Sequence, residues 1–160
     1  MTRIVVTHSR LVNSSPSGLR DHVGYWLRRL SDEVDLCFER QLATHGVTLA
    51  QWNVLVALHR GEGRTVGEIA RFAETDAAAV SRLVDRLQEK GLVSRTPDPG
   101  SRRRVLLALT PDACHLVPLL VQLADANDAA FFGGLPPGGR EQFVALLRRL
   151  LSAHEDDNGG

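Results

Sequence analysis

The order of elements across residues 75–110 restricts the fold more than any other stretch of the chain. Val80, Leu83, Val84 and Leu87 recur at i, i+3, i+4 and i+7, one stripe of an amphipathic helix that Gly91 stops. Leu92–Thr96 and Val105–Leu109 are apolar and β-branched runs on either side of Pro97-Asp98-Pro99-Gly100, which is turn chemistry. A β-hairpin therefore follows the helix at once. Arg102, Arg103 and Arg104 stand at its tip, where the return strand begins. A helix running straight into a hairpin with a basic tip is the pattern of a winged helix, which can set the helix in a DNA groove and the tip beside it.

The residues upstream complete the unit. Thr65 and Glu68 form a T-x-x-E capping box at the start of a short helix that turns Ile69, Ala70 and Ala73 inward. Only Glu74-Thr75-Asp76 separates it from the next helix, with Thr75 or Asp76 as N-cap. Two short helices joined this tightly make a helix-turn-helix. The outer face of the second carries Ala78, Ser81, Arg82, Asp85 and Glu89, with Arg86 at its edge, and its first two turns are small and polar: Ala77, Ala78, Ser81 and Arg82. Small residues let the backbone approach base edges, Ser bonds base or phosphate, and Arg takes guanine O6 and N7 together. On an isolated helix such a face is simply solvated. Here Ala77, Ala78, Ser81, Arg82 and Arg86 are the expected recognition residues.

Charge is distributed unevenly within a net balance of zero. Residues 76–104 hold seven basic side chains against four acids, whereas residues 125–160 hold three against six. Zero net charge argues against indiscriminate polyanion binding, and the asymmetry gives the molecule one basic face. Three adjacent arginines on a thin hairpin suit a narrow minor groove, where the potential is most negative.

The rest of the chain reads as helices with clear punctuation. Residues 1–18 form an arm. A long helix over 19–47 carries Leu19, Val23, Trp26, Leu27, Leu30, Val34, Cys37, Phe38 and Leu42, a stripe of roughly 40 Å. The winged helix-turn-helix spans 48–110, opened by a T-x-x-Q box at Thr48 and Gln51. Helices over 111–154 begin at Thr110-Pro111, with a kink or break expected at Pro118, and end in an acidic tail over 155–160. The fold class is mainly α with a small β-hairpin wing, flanked by N- and C-terminal helices. One copy leaves apolar stripes uncovered at both ends. Two copies pairing through the terminal helices would bury them and set two recognition helices in successive major grooves, so a homodimer is expected.

Other chemistries find little support. Two cysteines make no disulfide framework, no His or Cys spacing suits a metal, and no nucleophile motif, phosphate-binding glycine loop or carboxylate pair stands out. No enzyme activity and no cofactor are expected. Cys37 lies on the apolar stripe and reads as a buried thiol. No secretory signal or apolar run near 18 residues occurs, so the expectation is a soluble, cytoplasmic protein without a membrane partner. Tyr25, Trp26, Arg29 and Trp52 offer an aromatic, partly cationic lining for a small ligand, against the plainer reading of the two tryptophans as core.

The chain resembles the multiple-antibiotic-resistance regulator (MarR) family of bacterial winged helix-turn-helix transcription factors over roughly residues 19–152. The resemblance is carried by Leu49-Ala50-Gln51-Trp52-Asn53-Val54-Leu55, by Ala79–Leu87 with Lys90-Gly91-Leu92-Val93, and by Asp98–Arg103 through Leu109-Thr110. It implies a homodimer on a palindromic double-stranded DNA operator, usually a repressor, often released by a small aromatic or phenolic acid bound between the dimerisation helices and the winged helix. The alternative is a DNA- or protein-binding winged-helix module without an effector. The family's wing usually reads D-x-R, an Asp bracing an Arg that enters the minor groove. Here the Asp position holds Ser101 and the Arg position Arg103. Ser101 brings no charge, so Arg102 or Arg104 is expected to share the work. The reactive Cys of peroxide-sensing members would fall near Gly24, not Cys37, so no redox role is implied.

Overall fold

Four helices of this chain close with the same left-handed device. After Leu42, Ala57 and Leu87 the chain turns through Gly46, Gly61 and Gly91 at φ 69, 73 and 68°. Each time the amide just beyond the turn residue donates back to a carbonyl five residues earlier: Val47 to Leu42, Glu62 to Ala57, Leu92 to Leu87. The fourth case ends the first helix of the helix-turn-helix, where Thr75 N donates to Ala70 O and the left-handed residue is Glu74, φ 48°.

The computed structural model describes residues 18–155, the side chains of Arg102, His154 and Glu155 excepted. The expected arm up to residue 17 and the tail from 156 lie outside the described residues. The elements are a 3-10 turn Leu19–Asp21, α1 Val23–Ala43, α2 Leu49–Arg60, α3 Val66–Phe72, α4 Ala77–Glu89, β1 Val93–Asp98, β2 Ser101–Leu109, α5 Pro111–Phe132 and α6 Gly139–Glu155. Mainly helical with one antiparallel hairpin, this is the expected fold class.

Two units divide within α1, after Glu33. In the first, Leu19, Val23, Trp26 and Leu27 are all exposed. In the second, α2, α3, α4, the hairpin and α5 enclose one core. Leu42, Leu55, Ile69, Val84, Leu87, Val117 and Leu120 have no exposed surface. Each such aliphatic side chain contributes about 1.5–3 kcal/mol relative to an exposed position. Capping follows the local sequence: Thr48 Oγ1 accepts from Gln51 N at 3.2 Å, Thr65 Oγ1 from Glu68 N at 3.3 Å, and Asp76 Oδ2 from Ala79 N at 2.9 Å. Asp76, rather than Thr75, is therefore the N-cap of α4.

The structure adjusts three expectations. Of the kink or break expected at Pro118, the break does not occur: α5 runs through it. Pro118 and Cys114, whose carbonyl loses its amide partner, are both exposed. The strands are longer than the apolar runs suggested, reaching Asp98 and starting at Ser101, so the three arginines at the start of the return strand lie within β2. Cys37 is half-buried, not buried.

Candidate nucleic-acid interface

α4 is oriented by its apolar stripe. Val80, Val84 and Leu87 are at most 1% exposed and Leu83 packs against the same core, so the opposite face is turned outward by elimination. On it Ala77, Ala78, Arg82 and Arg86 are exposed and Ser81 is half-buried. Neither the Arg82 nor the Arg86 guanidinium has a protein partner among the described residues. Asp85, one of the two acids on this face, is answered by Arg95 of β1, whose Nη1 donates to Asp85 Oδ1 at 2.6 Å and to Gln88 Oε1 at 3.2 Å. The pair is largely exposed and adds at most about 1 kcal/mol of stability. It also offsets the charge of an acid that lies three residues from Arg82 and next to Arg86 in the chain.

The wing is irregular where the arginines lie. Val93 through Pro97 pair in order with Leu109 through Val105, and then Asp98 pairs with Ser101. Arg102, Arg103 and Arg104 are thus left over on β2 as a bulge, which bends a strand and frees its residues from the ladder. Asp98 Oδ1 accepts from Gly100 N at 2.9 Å and shapes the turn. Ser101 forms no side-chain hydrogen bond among the described residues and braces nothing. Arg103 is exposed and has no protein partner among the described residues. Arg104 is held, donating through Nη2 to Glu68 Oε1 at 2.5 Å, with its Nε 3.7 Å from Asp98 Oδ2. Glu68 also accepts the amides of Arg64 at 2.7 Å and Thr65 at 3.1 Å. These backbone bonds, with Arg104 and the Thr65 hydroxyl, outweigh desolvation and hold its carboxyl below the ordinary value.

Two of these residues escaped the pattern in the sequence. Glu68 reads as a helix-capping residue, and nothing local points to a strand 36 residues on. Lys90, counted above with the basic face, donates to Gly46 O at 2.6 Å and Gln51 Oε1 at 2.9 Å, tying the end of α4 to the turn before α2. Of the proposed ligand residues, Tyr25 and Trp26 meet edge-on with centroids 5.1 Å apart, and Arg29 Nη1 donates to Tyr25 Oη at 3.5 Å. Trp52 packs edge-on against Phe38 at 5.6 Å. No group of three metal-ligating side chains occurs among the described residues, and none of their helices is long and apolar enough to cross a membrane.

A family model described as the MarR family matches residues 45–104. Over the whole of both chains the protein is 27% identical to the transcriptional repressor NicR of Pseudomonas putida. Its fold matches that of BpsR from Bordetella bronchiseptica, whose DNA binding is regulated by 6-hydroxynicotinic acid. That match has a TM-score of 0.75 and 34% identity and covers 85% of this chain and 97% of that one. MepR of Staphylococcus aureus in complex with DNA superposes with a TM-score of 0.77 at 26% identity, over 82% of this chain and 98% of that one. With its helix-turn-helix and basic wing in the same order, the chain belongs to the MarR family of winged-helix transcriptional regulators.

Proposed function

We propose that the protein is a homodimeric repressor that binds a palindromic duplex operator and is released by a small aromatic acid. The observation that carries DNA recognition is the outward face of α4, where Ala77, Ala78, Arg82 and Arg86 are exposed beside a hairpin whose Arg103 is exposed and has no protein partner among the described residues. Ala77, Ala78, Ser81, Arg82 and Arg86 read base edges. Ser101 with Arg102, Arg103 and Arg104 meets the adjacent minor groove. The dimer is supported by apolar side chains left in the open. Leu146, Leu150 and Leu151 of α6 are 58, 55 and 66% exposed, an unusual state for three leucines on one helix. A second copy presents the same stripe, and twofold pairing spaces two recognition helices about 34 Å apart.

The effector belongs at Tyr25, Trp26 and Arg29, with Trp52 as a further candidate: indole and phenol rings suit an aromatic ring, and a guanidinium suits its carboxylate. The likeness to BpsR supports that ligand class. Release requires a ligand that prefers the geometry unable to span the operator. The second reading, a winged helix without effector, is favoured by Trp52 lying against Phe38 and by Trp26 Nε1 donating to Arg20 O at 2.8 Å, both structural uses of indole.

The test begins with duplexes selected from a random library by the purified chain. Alanine at 102, 103 and 104 together is expected to weaken binding and flatten its salt dependence; no change in either would refute a DNA-reading wing. Titration with 6-hydroxynicotinic acid and salicylate then follows tryptophan fluorescence and duplex affinity in parallel. Coincident changes support an effector site. A fluorescence change alone, or no response, leaves the effector-free reading.

A further inference from the structure

Arg104 and Glu68 line two open hollows between the wing and the start of α3. On one side of their contact lies a hollow of about 460 Å³ lined by Thr65, Val66, Arg71 and Arg103, and on the other a hollow of about 440 Å³ lined by Gly61, Gly63, Asp98 and Leu106. Among the described residues, two polar links join the wing to the start of α3, the Leu107 amide donating to Arg64 O at 2.7 Å and the Arg104–Glu68 pair. The second link falls inside the bulge, where the strand ladder is interrupted. Glu68 is well placed to bear it. One carboxylate oxygen is fixed by two backbone amides while the other takes the guanidinium. The backbone of Gly63 passes so close that a Cβ there would come within 2.8 Å of Glu68 Cβ. Asp98, already committed to the turn, approaches the same guanidinium from the hairpin side.

We propose that Glu68 is a positioning residue of the wing: with Asp98 it pins Arg104 and so sets the direction in which the neighbouring, exposed Arg103 leaves the hairpin. Uncharged Ser101 contributes nothing to this. The inference rests on the reading that the wing meets DNA. It differs from a second possibility in the sign of its effect. If Glu68 and Asp98 merely opposed the phosphates, neutralising them would tighten binding; if they position Arg103, neutralising them loosens it.

The variants are Glu68→Gln and Asp98→Asn, each alone and combined with Arg103→Ala. Gln preserves the capping box, as Gln51 does on α2, and Asn preserves the turn. Affinity for a duplex selected by the unaltered chain is measured over a range of salt, with thermal unfolding as a control on folding. Should Glu68→Gln fail to fold, Asp98→Asn, which caps no helix, carries the test. Each single change is expected to weaken binding roughly 3- to 10-fold with the salt slope unchanged, and to add nothing in the Arg103→Ala background. Tighter binding, or losses that multiply with that of Arg103→Ala, would overturn the assignment while leaving DNA recognition intact. If Arg103→Ala alone has no effect, the inference falls; if alanine at 102, 103 and 104 together has none, the DNA-reading wing falls with it.

Discussion

Replacing Lys90 by Met separates a structural clamp from a DNA contact at one position. Lys90 is the only lysine in the chain, and its ammonium is engaged by two protein oxygens, Gly46 O at 2.6 Å and Gln51 Oε1 at 2.9 Å. Met keeps the apolar stem and removes the charge. A hydrogen bond from a charged donor contributes about 1.5–3 kcal/mol when shielded, and Lys90 is exposed, so about 1 kcal/mol for each bond is the better figure. Gln51, only 3% exposed, keeps its bond from Thr48 N at 3.2 Å and is not orphaned by the change. The expected loss is therefore about 2 kcal/mol, which for a chain of this size lowers Tm by roughly 4–8 °C. Thermal unfolding followed by circular dichroism at one fixed protein concentration reads this directly. Because no phosphate contact is lost, the salt slope of DNA binding should not move. A Tm within about a degree of the original, or a slope reduced by about one unit, would refute the clamp and place Lys90 on DNA.

Arg82→Ala is expected to cost about 1–3 kcal/mol on a selected duplex and less on unrelated DNA; equal losses would assign Arg82 to phosphates instead of bases. Glu74→Gly should stabilise the fold by about 1 kcal/mol, since it gives the fourth left-handed helix end the residue found at the other three, and a lower denaturant midpoint would contradict this. The Glu68 carboxyl is held below its ordinary 4.5, first by the Arg64 amide and further by Arg104 and Thr65. Its folded value lies below its unfolded one, so its contribution to stability is complete above 4.5 and fades as pH falls through the folded value. The stability gap between the unaltered chain and Glu68→Gln should accordingly stay constant from about pH 6 to 8 and close in acid; a gap that widens in acid would reverse the sign of the argument.

What the sequence settled alone was whatever depends on neighbours within a few residues. Capping boxes at Thr48 and Thr65, helix stops at Gly46, Gly61 and Gly91, and the stripe Val80-Leu83-Val84-Leu87 all come from contacts three to five residues apart, which a linear pattern records. The order of these elements was enough to name the fold class and the outward residues of α4. The destinations of the long charged side chains came only from tertiary structure. Lys90 and Arg104, both grouped with the basic face by composition, find partners 39 and 36 residues away at Gln51 and Glu68. Likewise Pro118 stays inside a helix, at an exposed position, and three arginines leave the strand ladder because Asp98 pairs with Ser101. A flexible charged side chain takes whichever oxygen the returning chain brings within reach, and local periodicity holds no record of where the chain returns.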